Sequence, residues 1–194
     1  MNEIAKELFV NSLKAGDIGL CLGNSIFSKL QNILRKKRDR VDERASHGFY
    51  VRNNGGIIEA NGIKVARANI ERYFTNHHKI WIFRYNNVNE EQIKDMNLMA
   101  DVLADAETNY SWGGIKEFFK WLLNKKYKMK NEKGMFCTEL TGYLIKGVNL
   151  PYITDKEYYQ IDPSYQLSWF DDVATKQGIC IQTLYFENGK FYSF

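Results

Sequence analysis

Cys137 opens the stretch Cys137-Thr138-Glu139-Leu140-Thr141-Gly142-Tyr143-Leu144, where Leu140, Tyr143 and Leu144 recur at helical spacing and Gly134 upstream supplies a turn. This spacing predicts a helix with Cys137 in its first turn. Unpaired backbone N–H groups and the positive end of the helix dipole meet at such a place. They favour a thiolate, which is how a thiol of ordinary pKa near roughly 8.5 becomes a nucleophile. A cysteine on a helix otherwise serves as a small buried apolar residue. Chemistry at Cys137 therefore depends on a partner brought from elsewhere in the chain.

That partner must be a base, itself oriented by a third polar group. The chain has three histidines. His77 and His78 fall in the polar loop Thr75-Asn76-His77-His78-Lys79, where a solvated histidine is the ordinary outcome. His47 opens the strand-like run His47-Gly48-Phe49-Tyr50-Val51, between the small residues Ser46 and Gly48 that leave room for another chain or a ligand. Glu59 follows twelve positions later, across a hairpin predicted to turn at Asn54-Gly55. Equal arms about that turn put the two residues on adjacent strands, close enough for the carboxylate to hold the imidazole. The plainer reading makes them a polar cross-strand pair on an exposed strand. His47, Cys137 and a carboxylate lack the short-range spacing of metal ligands, so no metal and no cofactor is expected. Cys21 and Cys180 fall inside apolar strands and are expected to be structural.

The elements that must position these residues can be read in order. Asn2 to Lys14 form an amphipathic helix, and Ala15-Gly16-Asp17 turns into a buried strand over Ile18–Leu22. Asn24 and Ser25 cap a helix carrying Ile26, Leu30, Ile33 and Leu34. Strands then follow at Ser46–Val51, Ile57–Ala60, Ile63–Ala66 and Lys79–Tyr85, with one helical turn over Asn69–Tyr73. Asn89 caps a helix with Ile93, Met96, Met99, Ala100 and Leu103 on one side. A second helix carries Ile115, Phe118, Phe119, Leu122 and Leu123. After the Cys137 helix, Ile161-Asp162-Pro163-Ser164 reads as a turn, and Ile179–Phe186 and Phe191-Tyr192 as a terminal hairpin.

Composition bounds what such a chain does. In 194 residues the apolar share of 44% and aromatic share of 14% predict a packed globule, with one domain over residues 1–194 as the default. No repeat or low-complexity linker divides it. Three cysteines without a CxxC pair suggest neither a disulfide framework nor a zinc knuckle. No secretory leader and no membrane-length apolar run is evident, which predicts a soluble, cytoplasmic chain, with release to a cell wall left open. The net charge of +4 is concentrated in 35–40 and 125–130, basic runs read as solvated helix ends or loops. No nucleic-acid motif accompanies them, and no nucleic-acid partner is expected.

Taken together, Ala15-Gly16-Asp17-Ile18, Ser46-His47-Gly48-Phe49-Tyr50-Val51, Ile57-Ile58-Glu59-Ala60 and Phe136-Cys137-Thr138-Glu139-Leu140 resemble the circularly permuted branch of the NlpC-type papain-like superfamily, in particular its YiiX-like group, to which lecithin retinol acyltransferase is related. There the histidine strand precedes the cysteine helix, the reverse of the papain order. The resemblance spans roughly Gly16 to Lys146. It implies an α+β domain of permuted papain-like type, an antiparallel, partly barrel-like sheet with helices packed on one side. It implies Cys137 as nucleophile, His47 as base, Glu59 as the orienting acid and a tyrosine near the site, for which Tyr110 is the candidate. It implies a cysteine hydrolase acting on an amide, with a small peptide of cell-wall type as substrate. The same triad serves a thiol acyltransferase or esterase acting on lipids, and an apolar patch from Phe118, Trp121 and Leu122 would favour that reading. A non-catalytic module, binding an anionic partner through the basic runs, is the third. One departure stands out: Gly48-Phe49 follows His47 where an apolar residue and then glycine is usual, which bears on the strand pairing there.

Overall fold

The computed structural model describes residues 3–23, 45–75, 78–124, 133–154 and 161–194. Seven strands form one mixed-length antiparallel sheet: β1 Ile18–Leu22, β2 His47–Val51, β3 Gly56–Ala60, β4 Val65–Asn69, β5 Lys79–Tyr85, β6 Cys180–Glu187 and β7 Lys190–Ser193. Their order is β4-β3-β2-β1-β5-β6-β7, so β4 and β7 are edges and the sheet is not a closed barrel. Among the described residues five α-helices accompany it: α1 Glu3–Ser12, α2 Glu90–Asp105, α3 Trp112–Leu123, α4 Cys137–Gly147 and α5 Pro163–Ser168. The fold is α+β.

Strand alternation divides the apolar side chains between the two sheet faces. Ile18, Leu20, Tyr50, Ile58 and Phe83 pack with Met96 and Ala100 of α2 and with Leu140, Leu144 and Ile145 of α4. The alternate residues Cys21, Phe49, Val51, Ile57 and Ile82 pack with Phe9 and Leu13 from the N-terminal segment and with Ile70. Helical cover is thus on both faces, not on one as the sequence suggests. The reason is α1: its buried Phe9 meets Phe74 and Phe191 edge-on at 5.1 and 6.0 Å between centroids.

Asn89 starts α2 as expected, its side chain accepting from Gln92 N at 2.8 Å while Gln92 Oε1 accepts from Asn89 N at 3.1 Å, a complete capping box. Two boundaries differ from the sequence expectation. β4 starts at Val65 and runs to Asn69, because Asn61 Oδ1 accepts from both Ile63 N and Lys64 N and holds that stretch in a turn. Pro163 is the first residue of α5, where its missing N–H costs nothing, and Asp162 caps the helix through Ser164 N and Tyr165 N at 3.0 and 3.1 Å. The expected helix with Ile26 and Leu34, both basic runs and His77 lie outside the described residues.

Candidate active site

His47 begins β2, and the pairing around it is regular: Cys21 opposes His47, Leu20 opposes Gly48 and Gly19 opposes Phe49. The Gly48-Phe49 departure therefore leaves the strand register intact. On the other side Glu59 opposes Phe49, which sets it on the same face as His47 and one diagonal step away. His47 Nε2 and Glu59 Oε2 are 2.7 Å apart. Glu59 is only 1% exposed, and the His47 side chain 19%.

Glu59 is held by more than the imidazole. Arg72 Nη1 donates to Oε1 at 2.6 Å, and Tyr73 Oη donates a short hydrogen bond to Oε2. Both donors come from the single helical turn Ile70–Tyr73, which Asn69 caps by accepting from Glu71 N at 2.8 Å. Burial pushes the Glu59 carboxyl up, but His47, Tyr73 and Arg72 outweigh it and leave its pKa below the ordinary value. The ring of Tyr73 stacks on Phe49 at 5.5 Å and 9° from parallel. Phe49 in turn lies across Gly19, where an added Cβ would come within 1.9 Å of its ring. Sequence reading missed Arg72 and Tyr73. The signal that could have found them was an Arg-Tyr pair just after the strand beside Glu59.

Cys137 approaches from α4. Gly134 turns the chain into this helix at φ +99°, and a Cβ there would meet Asn109 O at 2.8 Å, so the position favours glycine on two counts. Glu139 Oε2 accepts from Phe136 N at 2.8 Å, the reciprocal half of a capping box. Cys137 is in the first turn, 4% exposed, where backbone N–H groups have no acceptor within the helix. Its side chain lies close enough to the His47 ring to act on the protonation of the imidazole, whose Nε2 is turned to Glu59 and whose Nδ1 is the nitrogen that remains for the sulfur. Burial alone would lower the pKa of His47. The hydrogen bonds and charges of Cys137 and Glu59 overcome that and raise it to about 10. The three residues named from the sequence thus converge on one imidazole.

A cleft of about 280 Å³ opens beside them, lined among others by Ser46, His47, Asn61, Arg72, Tyr110 and Trp112. Tyr110 is set there by a short parallel bridge to Met135, with Met135 N donating to Asn109 O at 3.0 Å. The Tyr110 hydroxyl is pushed upward in pKa by burial and by its nearness to Cys137 and Glu139. Trp112 meets Tyr110 edge-on at 5.4 Å, yet is 62% exposed. Cys21 is buried and also lines the cleft, whereas Cys180 is buried in the opposite core. The side chains of Phe118, Trp121 and Leu122 lie outside the described residues.

Asp17 has a role that its place in a turn did not suggest. It is 1% exposed and clasped by Arg84, whose Nε and Nη2 donate at 2.7 and 2.8 Å, while Val51 N donates to its backbone oxygen at 2.9 Å. It ties the start of β1 to the end of β2. Among the described residues no group of three or more His, Cys, Asp and Glu is arranged to hold a metal ion, and no helix is long and apolar enough to cross a membrane. No protein-family model matches this chain, and no curated protein matches it in sequence.

Proposed function

We propose that this protein is a cysteine-dependent hydrolase of permuted papain-like type that cleaves an amide bond in a small peptide, of the kind found in bacterial cell walls. The observation that carries the reading is the His47–Glu59 hydrogen bond beside Cys137 at the tip of α4, with Glu59 anchored in turn by Tyr73 and Arg72. His47 carries the proton as imidazolium, and the Cys137 sulfur attacks the carbonyl carbon as thiolate. The tetrahedral oxyanion is met by the N–H of Cys137 at the tip of α4. His47 then gives its proton to the leaving amine, and the C–N bond breaks. Water, deprotonated by His47, releases the acyl group and restores the thiol.

The lining of the cleft supports a peptide over a long acyl chain. Ser46, Glu59, Asn61 and Arg72 supply polar and charged groups close to the reacting pair. An acyl chain would meet these polar and charged groups where it needs an apolar wall. The three cysteines are unpaired, in keeping with the reducing, cytoplasmic setting that we propose for the chain.

The test is selective alkylation followed by turnover. Iodoacetamide is expected to label Cys137 at least about tenfold faster than Cys21 or Cys180, which are buried without an imidazole partner. Hydrolysis of dipeptide amides is expected to vanish in Cys137→Ala. Equal labelling of all three thiols would overturn the reading. Faster turnover of short-chain esters than of any amide would shift it to an esterase.

A further inference from the structure

Resting on the catalytic reading above, we infer that the buried segment Ile161–Gln166 is a positioning clamp that sets Cys137 against His47, with Thr138, Ser164 and Gln166 as its positioning residues. The nucleophile and the base belong to elements remote in sequence, and no covalent link fixes their separation. Three hydrogen-bonded contacts from this one segment do so.

The first reaches the residue next to the nucleophile: Thr138 Oγ1 donates a short hydrogen bond to Ile161 O. The second reaches the approach to the base, where Ser164 Oγ donates to Ala45 O at 2.9 Å, two residues before His47. The third joins both sides. Gln166 Nε2 donates to Thr141 Oγ1 at 2.8 Å, one helical turn after Cys137, and to Tyr152 Oη at 2.6 Å. Gln166 also packs against the residue after His47, since a Cβ on Gly48 would lie 3.3 Å from its Oε1. Asp162 caps α5 and so ties the start of the segment to its helix.

Burial is what gives these contacts their force. Thr138, Thr141, Asp162, Ser164 and Gln166 are all buried. A polar group in such a place is held to its partner because breaking away exposes it to an apolar surrounding with no replacement. A packed apolar contact would tolerate sliding by a fraction of an ångström, whereas a hydrogen bond is directional. The reach between sulfur and imidazole requires that precision, because misplacement by about 1 Å can cost about a hundredfold in rate. None of Thr138, Ser164 and Gln166 lines the cleft.

The experiment removes one hydroxyl at constant shape and reads the Cys137–His47 contact directly, without substrate. In Thr138→Val, iodoacetamide labelling of Cys137 is expected to slow about tenfold, a fraction of the loss that an ångström of misplacement brings. The His47 ring is expected to titrate well below its wild-type midpoint by NMR. Thr138→Ser, which keeps the hydroxyl, should restore both to within about twofold of wild type. If Thr138→Val does not fold, Ser164→Ala is read by the same two measurements against the same expectations. Wild-type labelling and titration in the variant would overturn the clamp, as would failure of Thr138→Ser to restore them. A wild-type protein whose Cys137 is no more reactive than its other thiols would overturn the hydrolase reading instead, while the His47 titration still reports on the clamp.

Discussion

Glu59 lies opposite Phe49 across the β2–β3 pair and reaches His47 along the diagonal at 2.7 Å. A diagonal pair is longer than a directly opposed one, and the long Glu side chain spans it. The carboxylate arrives fixed by two further donors, so the imidazole is oriented by a group that cannot itself swing away.

Glu59→Gln keeps this shape and removes the charge. His47 is held at about 10 because the hydrogen bonds and charges of Cys137 and Glu59 outweigh burial, so loss of the carboxylate lowers it toward the unfolded value of 6.5. In the proposed mechanism His47 donates its proton to the leaving group, so activity falls as pH rises through its pKa. We therefore expect an alkaline limb near pH 10 in the wild type and one shifted to lower pH in Glu59→Gln, with kcat/KM reduced about 10²-fold at neutral pH. The same raised pKa makes the contribution of His47 to folding fully present below about 6.5 and lost through about 10, a window that narrows in the variant. NMR titration of the ring and a pH–rate profile check both.

Gly19→Ala acts on the site through packing alone. Its Cβ would fall 1.9 Å from the Phe49 ring, and displacing that ring breaks its stack on Tyr73, which holds Glu59. Overpacking of this sort is expected to cost about 1–3 kcal/mol. Chemical denaturation measures that loss, and a fall in turnover of the still-folded fraction reports the disturbed carboxylate.

Trp112→Ala addresses the outer cleft. An indole left 62% exposed at the cleft offers apolar surface to the proposed substrate. Steady-state kinetics on a dipeptide amide are expected to show KM raised about tenfold with kcat within about twofold. That is the pattern of an interaction made equally in ground and transition states.

Much was legible in the residues themselves. The strands around His47 and Glu59, the turn at Gly134 and the Cys137 helix follow from alternation, from helical spacing and from glycine at positive φ, all of which are local. The α+β class followed from their succession. What local pattern misjudged was also instructive: Pro163 reads as a turn residue, yet with Asp162 before it a proline equally begins a helix. The extent of β4 was decided by the Asn61 side chain bonding its neighbours' backbone.

The sequence by itself determined the candidate nucleophile, base and acid, because those roles are restricted to few residue types and this chain has only three cysteines and three histidines. Only the tertiary structure decided that they come together, and by what means. Arg72 and Tyr73 hold Glu59, Arg84 neutralises Asp17, and Ile161–Gln166 joins α4 to β2. Those contacts join residues set apart by other elements or by much of the chain, and each is made by a polar group whose partner is fixed only once the sheet has closed over it. Local propensity carries no record of such pairs, since a buried threonine or glutamine is chosen for the neighbour it will meet and not for the element in which it sits.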